Sequence, residues 1–295
     1  MSRAEVLVSV SELIDALAGA EPPTLLDVRW ALTDPPGAGR DRYAAGHLPT
    51  AAFLDLETAL TRHTGDPRDG RHPLPDLQAL RAALGAAGAR ADRLTVVYDE
   101  PGSFAASRAW WVLRWVGLPV RVLDGGITAW TAAGHRLVPG LSVVAETHPA
   151  MAREVANGGF PSLHTGHLPT LTADEAAAAP HQGVLIDVRA PERFRGEAEP
   201  IDPVAGHIPG AINIPVAGLF ASDGTLPDEF ILRDRLAPAL AAAADGGRVA
   251  AYCGSGVSAA QAVLALATLR VPAALYPGSW SAWCHDPDRP VATGP

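Results

Sequence analysis

The sequence predicts an α/β protein made of two tandem copies of one domain, each a mainly parallel sheet flanked by helices. Two observations support this prediction. Short apolar runs of strand length alternate with helical patterns, and the second half of the chain repeats motifs of the first. The 295 residues are enough for two domains of ordinary size. We expect a first domain over residues 1–140, a linker over 141–169 and a second domain over 170–295.

The alternation is clearest in the first half of the chain. Apolar runs lie at 24–28, 52–54, 94–98 and 120–123, and helical patterns lie at 10–18, 77–87 and 107–116. Strands that alternate with helices form parallel sheets covered on both faces. Ligands of such sheets bind at the carboxyl ends of the strands, so we expect the functional loops there.

The repeat keeps its register. Leu25-Leu26-Asp27-Val28-Arg29 returns as Leu185-Ile186-Asp187-Val188-Arg189, and Gly46-His47-Leu48-Pro49 returns as Gly206-His207-Ile208-Pro209. The aspartate and the histidine are 20 residues apart in both copies. We expect the repeated Asp, Arg and His residues to be structural, with an Arg–Asp pair that fixes a loop in each copy.

One copy carries a chemical feature that the other lacks. A predicted strand, 248–252, leads straight into Cys253, and a helical run, 259–269, follows the loop. The inward N–H groups of such a loop and the helix N-terminus both favour a thiolate, so Cys253 is predicted to be a nucleophile. A buried structural cysteine is the alternative. The residues predicted to line the anion-binding loop are Gly254, Ser255, Gly256, Val257 and Ser258.

The same loop excludes another cysteine chemistry. Phosphatases that use a cysteine need an arginine six residues later to bind phosphate, and this chain has Ala259 there. In the first copy, Val97-Tyr98-Asp99 matches Ala251-Tyr252-Cys253, so Asp99 stands where a thiol would be needed. We expect the first copy to be catalytically silent.

These motifs resemble the rhodanese family of sulfurtransferases, in its two-domain form. The resemblance covers nearly the whole chain and includes the closing Gly278-Ser279-Trp280. The loop C-G-S-G-V-S is most similar to that of 3-mercaptopyruvate sulfurtransferases, whereas thiosulfate sulfurtransferases more often have basic residues after the cysteine. The resemblance implies transfer of a sulfane sulfur from a small anionic donor, preferably 3-mercaptopyruvate, through a Cys253 persulfide to cyanide or a thiol. The alternatives are a thiosulfate sulfurtransferase, and a non-catalytic rhodanese-like protein that binds a partner or relays sulfur.

The resemblance also assigns roles to residues outside the loop. It implies that Arg193 binds the anionic group of the donor; a surface ion pair with Glu192 or Glu197 is the alternative. It implies that Ser255, His72 and Glu57 assist proton transfer, although the family more often has Asp at the position of Glu57.

One segment departs from the family pattern. Mercaptopyruvate enzymes usually carry a second substrate arginine in a Glu-Pro-Arg segment, and here that segment is Glu199-Pro200-Ile201-Asp202. Ile201 cannot bind a carboxylate and Asp202 would repel one, so this segment argues against 3-mercaptopyruvate as the sulfur donor. The candidates to replace the missing arginine are Arg153, Arg195 and Arg233.

Composition limits the partners and the location. The net charge is −9 and all 23 basic residues are arginine, so we expect no nucleic-acid or membrane partner. No apolar run approaches the length of about 18 residues that a membrane-spanning helix needs. The first residues lack a signal-peptide pattern. The two cysteines, Cys253 and Cys284, form no disulfide framework, and the role of Cys284 is open. We expect a cytoplasmic protein with a thiol or thioredoxin-like acceptor and with no metal or organic cofactor.

Overall fold

The computed structural model describes residues 1–141 and 160–295 of the chain. Most of the predicted linker, residues 142–159, lies outside the described residues, and Arg153 lies there with it. The described parts form two sheets, one in each half, and their neighbouring strands are parallel. The predicted α/β class with two parallel sheets is confirmed, and the domain boundaries stay a prediction.

The strands of the two sheets are short. They are β1 (Leu7–Val8), β2 (Thr24–Asp27), β3 (Ala52–Phe53), β4 (Thr95–Tyr98), β5 (Val120–Leu123), β6 (Gly183–Asp187), β7 (Ile212–Asn213), β8 (Arg248–Tyr252) and β9 (Ala274–Leu275). The first sheet has the order β1-β5-β4-β2-β3 and the second has the order β7-β6-β8-β9. Asp99 and Cys253 therefore follow the carboxyl ends of β4 and β8, where ligands of parallel sheets bind.

Helices cover both faces of the sheets. In the first half they are Arg3–Val6, Val10–Ala18, Ala38–Ala45, Leu56–Ala59, Leu77–Ala86, Ala105–Trp115 and Gly126–Ala132. In the second half they are Ala173–Gln182, Pro191–Phe194, Glu229–Arg235, Ala237–Ala244, Ala259–Thr268 and Ser279–Trp283. Short 3-10 turns lie at Pro67–Asp69 and Val216–Gly218.

The two halves share one apolar core. Helix Ala105–Trp115 of the first half packs against helix Ala259–Thr268 of the second, and all residues of the latter are buried. The alanines of that helix let the two helices approach closely, while Trp110 and Trp111 fill the space beside them and are 0% exposed. Each large apolar side chain buried in this way contributes roughly 1.5–3 kcal/mol to folding. The shared core fixes first-half residues beside the Cys253 loop.

The repeated Asp-Val-Arg motifs form the same ion pair in both halves. Arg29 binds Asp27 at 2.7 Å, and Arg189 binds Asp187 at 2.6 Å. Each arginine also donates to the carbonyl of the glycine in the repeated Gly-His motif, Gly46 or Gly206. Both pairs are almost fully buried. The predicted Arg–Asp pair that fixes a loop in each copy is therefore confirmed.

Candidate active site

Cys253 follows strand β8 and opens the loop that leads into helix Ala259–Thr268. Its Sγ accepts a hydrogen bond from the Gly256 N–H at 3.0 Å, and the Ser279 hydroxyl lies 3.9 Å from the same sulfur. The residue is 1% exposed. A backbone N–H that points at sulfur favours an anionic thiolate or persulfide over a neutral thiol. The loop therefore has the geometry expected around a nucleophilic cysteine.

Two unusual backbone conformations hold the loop around the sulfur. Gly256 has a φ of +82°, and a Cβ at this position would stand 2.3 Å from the Pro277 carbonyl oxygen. Ser279 has a φ of 53°, and its hydroxyl accepts the Cys253 N–H at 3.1 Å. Positive φ in a non-glycine residue costs free energy, and such residues are enriched at functional sites. The loop thus depends on glycine at 256 and on a serine held in a strained conformation.

A buried cation from the first half lies behind the loop. Arg108 is 0% exposed, and its guanidinium donates to the carbonyl oxygens of Gly256 at 3.1 Å, His72 at 3.0 Å and Leu60 at 3.2 Å. Within the described residues no carboxylate forms an ion pair with it. Burial lowers the pKa of Arg108 to about 10, and the charge of Cys253 acts in the opposite direction. Arg108 is therefore a candidate counter-ion for a charged sulfur at Cys253.

The structure brings together the three residues predicted to assist proton transfer. His72 Nδ1 lies 2.7 Å from Ser255 Oγ, and His72 Nε2 lies 3.3 Å from Glu57 Oε1. Trp30 Nε1 donates to the same Glu57 oxygen at 2.8 Å. Burial lowers the pKa of His72 from its usual 6.5, so the ring is neutral at pH 7, and the hydrogen bond from His72 lowers the pKa of Glu57. The longer side chain of Glu57 still reaches the histidine.

Two guanidinium groups converge on Gly254, the residue after the cysteine. A methyl group at Gly254 would stand 2.9 Å from Arg71 Nη2 and 3.6 Å from Arg193 Nη1. Both arginines line a cavity of about 450 Å³, together with Gly254, Ser255, Val257 and Ser258 of the loop. Arg193 is a predicted site residue and Arg71 is not. The one signal for Arg71 in the sequence is its position directly before His72.

The ion pairs of Arg193 differ from the surface pair with Glu192 or Glu197 that is the alternative to donor binding. Arg193 pairs with Glu199 at 2.6 Å and with Asp202 at 3.2 Å, rather than with Glu192 or Glu197. Arg195 pairs with Glu197 at 2.7 Å and Arg233 with Glu229 at 2.8 Å, at exposed positions of the surface. Neither of them replaces the arginine that the Ile201 segment lacks. Arg71, from the other half of the chain, lies with Arg193 at Gly254.

Cys284 is in a different environment from Cys253. It is half-buried, and its Sγ lies 3.8 Å from the Ser281 carbonyl oxygen. Burial raises the pKa of Cys284 to about 11, so it is a thiol at neutral pH. Within residues 1–141 and 160–295, no group of three or more His, Cys, Asp or Glu side chains is placed to hold a metal ion.

The corresponding position of the first half is filled by a carboxylate. Asp99 Oδ2 accepts the Ala106 N–H at 2.8 Å, and burial raises the pKa of Asp99 to about 6. The donor is seven residues along the chain, whereas Gly256 is three residues from Cys253. Pro101, two residues after Asp99, has no N–H to offer. The first loop is therefore not built around a sulfur atom.

From this difference we expect Asp99→Cys to create no second reactive site. A cysteine side chain is one bond shorter than aspartate, so its sulfur would not reach the Ala106 N–H. The variant is made in a Cys253→Ser background, treated with donor alone and measured by intact mass. A persulfide mass on the introduced cysteine would show that the first loop binds sulfur after all.

Comparison with known proteins identifies the family. The rhodanese-like domain matches the chain twice, at residues 9–133 and 172–286. The chain belongs to the rhodanese family. Each match covers one copy of the repeat. In the described part of this rhodanese-family chain, no helix is both long and apolar enough to cross a membrane.

Individual relatives of this rhodanese-family chain carry the names of two donors. It is 44% identical over 295 residues to SseB of Mycobacterium tuberculosis, named as a thiosulfate sulfurtransferase, with 99% of both chains covered. It is 43% identical over 300 residues to a Pseudomonas aeruginosa protein named as a 3-mercaptopyruvate sulfurtransferase, with 100% of both covered. Among solved structures, SseA of Escherichia coli, named as a 3-mercaptopyruvate sulfotransferase, is 29% identical with a TM-score of 0.75, covering 95% of this chain and 99% of that one. Similarity alone therefore does not decide the donor.

Proposed function

We propose that the chain is a double-displacement sulfurtransferase that prefers 3-mercaptopyruvate to thiosulfate as the sulfur donor. One observation carries this proposal: a hydrogen-bonded thiol and two guanidinium groups meet at Gly254. A guanidinium pairs with a carboxylate through two N–H groups, so Arg71 and Arg193 can hold the anionic end of a donor. The sulfur of the bound donor then lies beside Cys253, oriented for attack by the cysteine sulfur.

In the first step the Cys253 thiolate attacks the sulfur of 3-mercaptopyruvate. An S–S bond forms while the carbon–sulfur bond breaks, and the electron pair of that bond passes to the carbon as the enolate of pyruvate. The thiol proton of the donor moves to the same carbon, so the products are a persulfide anion and pyruvate. The loop N–H groups, that of Gly256 first, stabilise the persulfide charge as an oxyanion hole does.

We propose that the hydroxyl of Ser255 carries this proton. His72 is neutral and hydrogen-bonded to Ser255 on one side and to Glu57 on the other, so it can accept and return a proton through the hydroxyl. Thiosulfate needs no such step, because it releases sulfite as an anion without a proton transfer. The presence of the complete Ser255–His72–Glu57 chain therefore favours the mercaptopyruvate reaction.

We expect His72→Asn to slow the two donors unequally. Loss of general acid–base assistance costs about 10²–10⁴-fold in rate, so kcat with 3-mercaptopyruvate falls by that order while kcat with thiosulfate changes little. With the wild type, mercaptopyruvate turnover should persist at pH 6.5 and decline only at a lower pH, because burial lowers the pKa of His72 from its usual 6.5. Both donors are assayed with cyanide across pH 5–8. An equal loss for both donors would refute the proton-transfer role.

In the second step a nucleophile attacks the outer sulfur of the persulfide and releases the Cys253 thiolate. Cyanide serves in the assay and yields thiocyanate; in the cell we propose a thiol or a thioredoxin-like protein. The chain holds two unpaired cysteines and its reaction depends on a thiolate, which supports a reducing, cytoplasmic location. Its net charge of −9 supports neither a nucleic-acid nor a membrane partner.

The donor preference is tested directly by kcat/KM for the two donors with cyanide as acceptor. We expect the higher value for 3-mercaptopyruvate, because the Gly254-Ser255-Gly256 loop has no basic side chain for the second charge of thiosulfate. Charge-assisted hydrogen bonds contribute roughly 1.5–3 kcal/mol each, so a missing partner costs about tenfold or more in affinity. A higher kcat/KM for thiosulfate would reverse the assignment.

One observation favours the alternative of a catalytically silent module. Cys253 is 1% exposed, and a buried, unreactive cysteine would fit a protein that only binds a partner. Incubation with donor in the absence of acceptor distinguishes a sulfurtransferase from a silent module. A sulfurtransferase gains the mass of one sulfur atom on Cys253, and dithiothreitol removes it, whereas a silent module keeps its mass.

A further inference from the structure

The carboxylate of Asp202 lies between the two arginines of the donor pocket. Its Oδ1 accepts from Arg71 Nη1 and its Oδ2 accepts from Arg193 Nη2 at 3.2 Å. The side chain is 1% exposed, whereas those of Arg71 and Arg193 are 27% and 15% exposed. The carboxylate thus joins a first-half arginine to a second-half arginine from the buried side of the pocket.

Each arginine keeps one amino group for a ligand. The described residues provide no hydrogen-bond partner for Arg71 Nη2 or Arg193 Nη1, and these are the two atoms nearest to the methyl position at Gly254. A guanidinium directs its N–H groups in fixed directions. Two amino groups, one from each arginine, therefore suit the two oxygens of a single carboxylate.

The charges around these arginines are already balanced. Glu199 accepts from Arg193 Nε at 3.0 Å and from Arg189 Nη1 at 3.3 Å, and Arg189 is also paired with Asp187. Cys284 is a further titratable group close enough to interact with Asp202. Three guanidiniums thus face three carboxylates, so a bound anion is held by directed hydrogen bonds rather than by surplus positive charge.

We propose that Asp202 determines the charge class of the donor, by admitting a monoanionic carboxylate and rejecting a dianion. The proposal rests on the proposed function and adds the residue that sets its specificity. With Asp202 in place, a bound monoanion gains two charge-assisted hydrogen bonds, and its single charge is repelled by the Asp202 carboxylate. Asp202 lowers the positive electrostatic potential that the two arginines create in the pocket. This lowering costs a dianion such as thiosulfate twice the attraction that it costs a monoanion, because Coulomb energy scales with the product of the charges. Asp202 acts through the arginines and touches no reacting atom.

Asp202→Asn tests the proposal because it keeps the shape and removes the charge. We expect KM for thiosulfate to fall about tenfold or more, KM for 3-mercaptopyruvate to fall less, and kcat to change little for either. Asp202→Glu keeps the charge and should keep the wild-type preference. Glu197→Gln, which removes an exposed carboxylate paired with Arg195, controls for net charge and should change neither KM. Equal changes in both KM values, or a loss confined to kcat, would overturn the proposal.

A binding experiment separates this proposal from the sulfur-transfer mechanism. Sulfate as dianion and pyruvate as monoanion are titrated calorimetrically into Cys253→Ser, with and without Asp202→Asn. We expect Asp202→Asn to improve sulfate binding more than pyruvate binding. Persulfide formation is measured separately, on protein that retains Cys253. If the anion selectivity is present but donors form no persulfide on Cys253, the proposed function fails and the role of Asp202 stands. If donors form persulfide but the Asn variant improves both anions equally or neither, the role of Asp202 fails alone.

Discussion

We expect Cys253→Ser to abolish sulfur transfer and Cys284→Ser to leave most of it. Only the Cys253 sulfur accepts the N–H of the loop, whereas Cys284 is held as a thiol by its raised pKa of about 11. Loss of a covalent nucleophile removes the reaction path itself, so we expect a fall in kcat of at least about 10³-fold. The cyanide assay measures this, with Cys284→Ser as the matched control.

Two chemical measurements accompany this result. Donor without acceptor should add one sulfur atom to wild type and to Cys284→Ser but none to Cys253→Ser. Iodoacetamide at neutral pH should label Cys253 in preference to Cys284, because the thiolate is the reactive form. Substantial turnover by Cys253→Ser would refute the mechanism.

Arg108→Met should damage both stability and activity. The guanidinium satisfies carbonyl oxygens of Leu60, His72 and Gly256, and each buried carbonyl left without a partner costs about 1–3 kcal/mol. We therefore expect a loss of about 3 kcal/mol or more in the free energy of unfolding, measured in urea. The same change removes the buried cation behind the Cys253 loop.

The effect on activity is separated from the effect on folding by the reactivity of the thiol. We expect kcat/KM to fall by about 100-fold or more under conditions where the variant is folded, since a buried counter-ion contributes several kcal/mol. Alkylation of Cys253 at neutral pH should slow in parallel. Arg114→Met is the control, because Arg114 lies on the same helix and is only half-buried. If Cys253 in folded Arg108→Met is alkylated as fast as Cys253 in the wild type, Arg108 has a structural role only.

The sequence was sufficient for the parts of the site that are local. Strand β8, the loop and the helix after it are consecutive, so the pattern around Cys253 predicts where the thiol lies. The Asp27 and Asp187 pairs were predictable because the same motif occurs twice. Strand β1 was not predicted, since two residues are too short to show an alternating pattern.

The parts that could not be predicted depend on contacts between the halves. Arg71 and Arg108 come from the first half, 182 and 145 positions before Cys253, and no spacing rule relates them to it. Asp202 was expected to repel a carboxylate as an isolated charge, whereas the fold places it between two arginines that neutralise it. In the sequence Ser279 is part of a closing motif, and the structure shows that its hydroxyl accepts the Cys253 N–H from a strained backbone conformation.

The shared core of the two halves has a consequence for how such a chain can evolve. The half that lacks a thiol supplies His72, Arg71 and Arg108 to the half that has one, so the dependence between the copies runs in one direction. After duplication of an ancestral gene, a silent copy with no such role could decay or be deleted. Here a deletion would remove the proposed proton carrier His72, the proposed donor-binding Arg71 and the buried cation Arg108 at once. We therefore expect selection on the proposed reaction to preserve both copies, each for different residues.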